Sequence, residues 1–214
     1  MIRITEKKTE EYIYSLLPRR DAVMRAMERY AARHDVPIVG PACGRLLYQL
    51  ARLIQARRVF ELGSAIGYST LWLARAVGPE GTVYYTDNNP DNARRAEASF
   101  RRAGVVERVR ILVGDALRKF ESTEGEFDLI FNDVSKPQYP EVFRLALPRL
   151  RRGGLLIADN VLRDGRAARP APKQDTATRG IQKFNWLVYG SKELFTTIVP
   201  LRDGFAVCLK DSDE

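Results

Sequence analysis

The sequence predicts an α/β fold built on a mostly parallel sheet, with helices on both faces and an antiparallel hairpin at the C-terminal end. Short β-rich runs alternate with helical stretches from residue 57 to residue 158, which is typical of parallel strands joined by helical crossovers. Near the C-terminus, Asp203-Gly204 lies between two apolar runs, and this pattern predicts a hairpin turn.

Three helical patterns precede the first β-rich run. The first has its apolar side chains on one face and ends at Pro18, because proline cannot continue a helix. We expect one domain over residues 1–214, with residues 1–56 as a helical extension and residues 57–214 as the α/β core. The predicted helices cover residues 5–17, residues 21–33 and the stretch after Pro41.

The alternating region contains five predicted strands and four predicted helices. The strands are residues 57–62, 82–87, 108–113, 127–132 and 154–158, and the helices are residues 68–77, 90–103, 115–120 and 138–150. Two turns are predicted from glycine and proline, at residues 78–81 and at residues 152–154. The two C-terminal strands are residues 194–199 and 204–209.

Composition excludes several classes of protein. No apolar run approaches the ~18–20 residues of a membrane span, and residues 1–11 lack the apolar core of a secretory signal. Cys43 and Cys208 are too few for a disulfide framework and are expected to be buried thiols. A single histidine, His34, argues against a Ser-His-Asp triad and a His-ligated zinc site. We therefore expect a cytoplasmic protein without a membrane segment.

The chain is basic, with 35 Lys and Arg residues against 27 Asp and Glu residues and a net charge of +8. Such an excess suits a nucleic-acid partner or an anionic substrate. The arginines are nevertheless spread over many predicted helices, and no basic-aromatic stripe appears. We therefore do not expect a nucleic-acid partner.

The first predicted strand leads into a glycine loop that is typical of cofactor binding. It ends in Glu61-Leu62-Gly63, Gly67 follows, and a helical pattern begins near Tyr68. The next strand ends in Asp87, so strand, glycine loop, helix and second-strand acid occur in the order by which a βαβ unit binds a nucleoside.

The details of this loop favour S-adenosylmethionine (SAM). Ala65 interrupts the Gly-x-Gly-x-x-Gly pattern, so no pyrophosphate cradle is evident. Free N–H groups at the start of the helix suit a carboxylate, and Asp87 suits two ribose hydroxyls. In the alternative interpretation, the glycines only form a turn and Asp87 caps the helix that begins at Pro90.

Oxygen-rich side chains follow the fourth and fifth strands. Asp133 follows one strand, and Asp159 and Asn160 follow the other, so they converge if the two strands pair. Two carboxylates and an amide oxygen suit a hard cation such as Mg²⁺. Lys136, three residues after Asp133, is a candidate general base. The alternatives are ordinary loop acids that cap helices and a solvated surface lysine.

From about Gly40 to Leu209, the chain resembles the cation-dependent, SAM-using O-methyltransferases related to catechol and caffeoyl-coenzyme A O-methyltransferases. Each short motif is weak, but the set in this order is specific. The motifs are Glu61-Leu62-Gly63, Gly67-Tyr68-Ser69-Thr70, Gly114-Asp115-Ala116, Asp133-Val134-Ser135-Lys136, Gly153-Gly154, Asp159-Asn160-Val161-Leu162, Phe184-Asn185 and Asp203-Gly204-Phe205.

The resemblance implies a doubly wound, seven-stranded class I methyltransferase sheet of Rossmann-like type, usually found in homodimers. It implies a divalent cation and Lys136 as the residue that deprotonates the acceptor hydroxyl. The chain departs from many bacterial and plant relatives at Ser135, where they carry a second Asp; the catechol enzymes also lack that Asp. The implied cofactor contacts are Glu61, Gly63, Ser69, Asp87, Asp115 and Asp133, and the implied metal ligands are Asp133, Asp159 and Asn160.

The predicted function is SAM-dependent, cation-dependent methylation of a small acceptor with catechol-like or vicinal hydroxyls. Two alternatives stay open: an RNA methyltransferase of the same fold, and a non-catalytic SAM-binding module. We expect the acceptor to be enclosed by the N-terminal helices, residues 163–174 and the aromatic residues near Phe184 and Trp186.

Residues 163–174 interrupt the regular pattern and predict a long loop that is either a lid or disordered. Four basic residues here are candidates for clamping an anionic acceptor such as a coenzyme A ester; the alternative is a solvated mobile loop. They are Arg163, Arg166, Arg169 and Lys173.

Overall fold

The structure is a computed structural model that describes residues 4–211. Its helices are α1 (Lys7–Ser15), α2 (Ala22–His34), α3 (Gly40–Leu53), α4 (Tyr68–Ala76), α5 (Pro90–Arg102), α6 (Ala116–Ser122), α7 (Tyr139–Ala146) and α8 (Thr176–Gly190). Its strands are β1 (Arg58–Leu62), β2 (Thr82–Asp87), β3 (Val109–Val113), β4 (Phe127–Asn132), β5 (Leu150–Ala158), β6 (Leu194–Val199) and β7 (Phe205–Lys210). None of the helices in the described part is long and apolar enough to cross a membrane.

The seven strands belong to one mixed sheet with the order β3-β2-β1-β4-β5-β7-β6. Strands β1 and β2, β2 and β3, and β4 and β5 pair in parallel, whereas β7 pairs antiparallel with both β5 and β6. The predicted fold class is therefore confirmed, including the antiparallel hairpin formed by β6 and β7. The prediction of one domain over residues 1–214 stays a prediction, and its ends lie outside the described residues.

The chain divides into two compact units. The first, here called the N-terminal unit, covers residues 13–124 and contains α2 to α6 with β1 to β3. Asp21 caps the start of helix α2, and its side chain accepts hydrogen bonds from the N–H groups of Val23 and Met24. Buried apolar residues of this unit include Phe60, Leu71 and Phe100, all 0% exposed. This unit holds the glycine loop.

The second unit, here called the C-terminal unit, contains residues 125–211 and the described residues before 13. It includes β4 to β7, α7 and α8. Phe131 on β4 stacks on Phe205 on β7, and Tyr139 on α7 meets Phe184 on α8 edge-on. These four aromatic side chains are fully buried and support the ends of β4 and β5.

Two parts of the C-terminal unit differ from the prediction. The helix predicted for residues 138–150 ends at Ala146, and β5 begins at Leu150 rather than at residue 154. Gly153-Gly154 is therefore not a turn before the strand but lies within β5, where its register with β4 shifts between Phe127 and Leu129. A side chain on Gly154 would lie 2.8 Å from the carbonyl oxygen of Asp128, which explains the glycine. Helix α8 lies where the sequence predicted no element.

Candidate active site

The glycine loop of the N-terminal unit is fixed by hydrogen bonds to the end of β2. Gly63 N–H donates to the Thr86 hydroxyl at 3.2 Å, and Ser64 N–H donates to the Thr86 carbonyl oxygen at 2.8 Å. Gly67 has a φ of +80° and no side chain caps the helix that follows it, α4. The first N–H groups of α4 therefore have no side-chain cap, as an anion site requires.

Asp87 lies at the end of β2, half-buried, with Oδ1 accepting from the Asn89 N–H at 2.8 Å and from Asn92 Nδ2 at 3.1 Å. No described residue donates to its second oxygen, Oδ2. The cap of α5 is Asn89, whose side chain accepts from the Asp91 N–H. The capping function that the alternative interpretation gave to Asp87 thus belongs to Asn89.

The other predicted cofactor contacts of this unit differ in their surroundings. Glu61 is 0% exposed and accepts a hydrogen bond from the Thr70 hydroxyl. Ser69 is buried in the first turn of α4. Asp115 caps α6 by accepting from the Arg118 N–H at 2.9 Å. Asp115 therefore has a structural function of its own, whereas Ser69 and Gly63 lie at the glycine loop itself.

The ends of β4 and β5 bring the predicted metal ligands together in the C-terminal unit. Asn132 and Ala158 are register partners, and the Asp159 N–H continues the ladder by donating to the Asn132 carbonyl oxygen at 3.2 Å. Asp133 and Asp159 therefore follow directly paired residues. Asn160 adopts a φ of +58°, a left-handed conformation that asparagine tolerates better than most residues.

The two carboxylates affect each other electrostatically. Burial, followed by the negative charge of Asp133, raises the pKa of Asp159 to about 7. Burial likewise raises the pKa of Asp133, although the charge of Lys136 offsets part of that effect. No three His, Cys, Asp or Glu side chains of the described residues form a metal-binding group, so the donor set depends on Asn160 beside the two aspartates. Two crowded carboxylates and an amide oxygen fit a hard divalent cation.

Lys136 is held beside this carboxylate pair. Its Nζ atom is 2.8 Å from Asp133 Oδ1 and 3.0 Å from the Tyr139 hydroxyl, and its side chain is only 16% exposed. It is therefore not a solvated surface lysine. The Tyr139 hydroxyl in turn donates to the Asp159 carbonyl oxygen at 2.8 Å, which links Lys136 to the β5 end. Ser135, in the position where many relatives carry a second Asp, is exposed.

A family model described as O-methyltransferase matches residues 18–211 of the chain. The chain belongs to this O-methyltransferase family. A catechol O-methyltransferase from Niastella koreensis is 34% identical over 214 residues, which cover 95% of this chain and 96% of that protein. A second catechol O-methyltransferase, from Mycobacterium tuberculosis, is 42% identical over 123 residues, which cover 57% of this chain and 56% of that protein. The predicted family and enzyme class are confirmed.

Solved O-methyltransferase structures share the fold of this chain. TomG from Streptomyces achromogenes, in complex with SAM, has a TM-score of 0.87 and 31% identity, covering 96% of both chains. The Bacillus cereus O-methyltransferase, in complex with SAH, also has a TM-score of 0.87, with 28% identity over 95% of this chain and 97% of that chain. The Rossmann-like architecture predicted for the chain is the one that these structures have.

This O-methyltransferase contains site residues that the sequence analysis missed. On the β6–β7 turn, Arg202 lies close enough for its charge to lower the pKa of both Asp133 and Asp159 against the larger effect of burial. Its neighbour Asp203 accepts the N–H of Asp164 on Oδ1 at 2.5 Å, which fixes the loop after Asn160. Tyr139 was missed as well, because nothing in an isolated Lys-Pro-Gln-Tyr segment shows that the tyrosine is buried.

Helix α8 forms hydrogen bonds with the loop that follows β5. Asn185 donates from Nδ2 to the Val161 carbonyl oxygen at 2.9 Å. Gln182 donates from Nε2 to the carbonyl oxygens of Ala167 and Arg169, at 3.1 and 2.6 Å. Gln182 therefore links residues 167 and 169 of the predicted long loop to α8, and the loop includes a 3-10 turn at Arg166–Ala168.

Proposed function

We propose that this chain transfers the methyl group of SAM to one hydroxyl of a small catechol-like or vicinal-hydroxyl acceptor, and that the reaction depends on a divalent cation. The arrangement that carries the proposal is the set of Asp133, Asp159 and Asn160 at the paired ends of β4 and β5, with Lys136 beside them. The names of the two catechol O-methyltransferases support the acceptor class. Homodimer formation, a cytoplasmic location and the lack of a nucleic-acid partner stay predictions.

The N-terminal unit supplies the proposed SAM site. The start of α4, whose N–H groups have no side-chain cap, suits the amino-acid carboxylate of SAM. Asp87, whose Oδ2 accepts from no described donor, suits the ribose hydroxyls. SAM and SAH, bound in the two related O-methyltransferases, support this assignment. Glu61, Gly63, Ser69 and Asp115 are the further contacts proposed in this unit.

In the proposed mechanism, Asp133, Asp159 and Asn160 hold the cation, most simply Mg²⁺. The cation, when bound, supplies charge that lowers the pKa of an acceptor hydroxyl. Lys136 Nζ is held by Asp133 and the Tyr139 hydroxyl. Once it has released its own proton to solvent, this amine would accept the proton of the acceptor hydroxyl as a general base. The remaining contribution of the protein is to position the acceptor oxygen in line with the methyl group.

The test is methyl transfer from SAM to a panel of vicinal diols and their coenzyme A esters, with and without EDTA. We expect EDTA to abolish transfer and added Mg²⁺ to restore it. Asp159→Ala should abolish transfer while SAM still binds, and Asp91→Ala, which removes an exposed aspartate on α5, should remain active. Full methyl transfer by Asp159→Ala in excess EDTA would contradict the mechanism.

The SAM assignment has a separate test. Asp87→Ala should weaken SAM binding by ~1–3 kcal/mol, the usual cost of losing hydrogen bonds to a charged group. Isothermal calorimetry measures this directly. An unchanged affinity would place the ribose elsewhere, and SAM binding without methylation of any diol would favour the non-catalytic module.

A further inference from the structure

A cavity of about 730 Å³ lies between helices α3 and α4 of the N-terminal unit, and the proposed function does not use it. Its volume is in the range of small-molecule sites, which run from about 300 to 1,000 Å³. None of the residues proposed to contact SAM or the cation lines it. Its lining residues are Arg45, Tyr48, Gln49, Arg52, Leu53, Trp72 and Arg75.

Two aromatic side chains form one wall of the cavity. Tyr48 on α3 meets Trp72 on α4 edge-on, with the ring centroids 6.4 Å apart. The indole ring packs directly against α3 at Gly44, where an added methyl group would overlap it. Tyr48 and its neighbour Leu53 are nevertheless 37% and 70% exposed. The cavity therefore presents a fixed aromatic corner with apolar surface that is open to solvent.

Three arginines surround this corner, and no acidic residue lines the cavity. Arg75 on α4 is paired with Asp21 at 2.7 Å, which holds its guanidinium group in place. Arg45 and Arg52 on α3 are exposed and form no side-chain hydrogen bond or ion pair within the described part of the chain. They lie about 10 Å apart along the helix axis, on the same face as Tyr48. Since Asp21 offsets Arg75, the two α3 arginines leave the rim with a net positive charge.

This combination of groups is suited to a nucleotide. A flat base stacks on aromatic side chains, and guanidinium groups bind phosphates through paired hydrogen bonds. Gln49 lies between Arg45 and Arg52 on α3 and supplies an amide that can both donate to and accept from the edge of a base. An acidic peptide would use the arginines but not the aromatic corner, and an uncharged ligand would leave both α3 arginines unused.

We propose that the cavity between α3 and α4 binds one free nucleotide, with its base at Tyr48 and Trp72 and its phosphates at Arg45 and Arg52. The site is separate from the proposed chemistry, because no residue proposed for SAM, the cation or general-base catalysis lines it. A free nucleotide fits better than an RNA strand, since two rings that meet edge-on form one corner for one base. Nucleotide binding here does not depend on which acceptor the chain methylates.

The test compares ATP, tripolyphosphate and adenosine, which together separate the contributions of ring and charge. The protein is loaded with SAH, so that the adenine ring of ATP cannot occupy the SAM site, and the buffer contains no divalent cation. Calorimetry measures each affinity. We expect ATP to bind at least about tenfold more tightly than either fragment, because only ATP reaches both parts of the cavity. The proposal is wrong if ATP does not bind, or if either fragment binds as tightly as ATP.

Variants assign the two contributions to residues. Arg45→Gln and Arg52→Gln should each weaken ATP binding roughly tenfold to hundredfold, the usual range for a lost hydrogen bond to a charged group. Tyr48→Leu should weaken ATP binding roughly fivefold to hundredfold through the lost stacking contact, and leave tripolyphosphate binding unchanged. Arg110→Gln is the matched control, because it removes an exposed arginine of the same unit that does not line the cavity. An equal loss in this control would show that net charge alone attracts ATP, and would overturn the proposal.

Trp72 provides a measurement that leaves the cavity unaltered. The chain has two tryptophans, and the other, Trp186, is 81% exposed on α8. In the Trp186→Phe protein, the emission of Trp72 should change as ATP is added, with the affinity that calorimetry gives. ATP binding that leaves this emission unchanged would place the nucleotide elsewhere and overturn the proposal. A single-stranded RNA of about ten nucleotides that binds more tightly than ATP would overturn the choice of a free nucleotide.

Discussion

Gly180 in helix α8 lies so close to Lys136 that a methyl group on Gly180 would be 2.4 Å from the Lys136 carbonyl oxygen. The same methyl group would be 2.8 Å from the α-carbon of Pro137. Both neighbours are backbone atoms, which cannot move aside as the end of a flexible side chain can. Helix α8 therefore sets the position of the 3-10 turn Lys136–Gln138. That turn in turn positions the Lys136 Nζ atom, which contacts Asp133 and Tyr139.

Gly180→Ala should reduce kcat by a factor on the order of 10², because a displacement of about 1 Å in a catalytic group has that effect. Overpacking should also destabilise the fold by about 1–3 kcal/mol. Gly190→Ala is the matched control at the end of the same helix, since outside the adjacent residues and helix backbone no described atom lies within 4 Å of the added methyl group. Kinetics and urea unfolding of both variants check the prediction, which fails if Gly180→Ala keeps wild-type kcat.

Gly67→Ala should weaken SAM binding as well as stability. Gly67 has a φ of +80°, and a methyl group there would lie 2.6 Å from Phe100 Cζ and 2.9 Å from Ala96 Cβ. Gly78 also has a positive φ, at +74°, but a methyl group added to Gly78 would meet no neighbouring atom within 4 Å. Gly78→Ala should therefore cost only the backbone strain of ~1–2 kcal/mol, and Gly67→Ala about 1–3 kcal/mol more. The prediction is contradicted if Gly67→Ala and Gly78→Ala lose the same free energy of unfolding in urea and bind SAM with the same affinity.

The site residues that could be predicted from the sequence are those whose signal lies in the few residues beside them along the chain. Asp87, Asp133 and Asp159 each follow an apolar β-rich run, and a parallel sheet places such ends at one edge. The pairing of β4 with β5 confirmed that Asp133 and Asp159 adjoin. What this local pattern does not contain is the set of contacts that hold each side chain in place.

The site residues that were not predicted, Tyr139 and Arg202, act through contacts between segments far apart in the chain. Helix α8 has a readable cap, because Asp175 accepts from the Thr178 N–H, but its aromatic residues differ in burial. Phe184 is 0% exposed, whereas Trp186 is 81% exposed, so composition alone does not show which face packs on the site. Arg202 was missed because the turn signal of Asp203-Gly204 predicts a hairpin but not which loop the hairpin packs against.

The stability of the N-terminal unit should depend on Glu28 in a pH-sensitive manner. Glu28 accepts from Arg20 Nε at 2.9 Å and from the Tyr68 hydroxyl at 2.7 Å. Burial alone would raise the pKa of Glu28, but these hydrogen bonds outweigh it and hold the pKa below its ordinary value. A depressed carboxylate pKa contributes stability that is fully present above the unfolded-state pKa of about 4.3 and is lost as the pH falls through the folded-state pKa.

Glu28→Gln should therefore destabilise the protein by ~1–3 kcal/mol at pH 7, and the difference from wild type should shrink as the pH falls below about 4. Urea unfolding at a series of pH values measures this. Glu97→Gln is a suitable control, because Glu97 forms an exposed ion pair with Arg101. A difference between wild type and Glu28→Gln that stays constant down to about pH 3, well below the ordinary carboxyl pKa, would show that the charge of Glu28 is not responsible.

Lys136→Ala and Tyr139→Phe should separate proton transfer from the positioning of Lys136. Lys136→Ala should lower kcat by ~10²–10⁴, the usual contribution of a general base, and higher pH should partly restore it because more acceptor is already ionised. Tyr139→Phe keeps the ring against Phe184 but removes the hydroxyl that is 3.0 Å from Lys136 Nζ. It should lower kcat less than Lys136→Ala and leave SAM affinity unchanged. The general-base role is excluded if Lys136→Ala has the wild-type kcat at neutral pH.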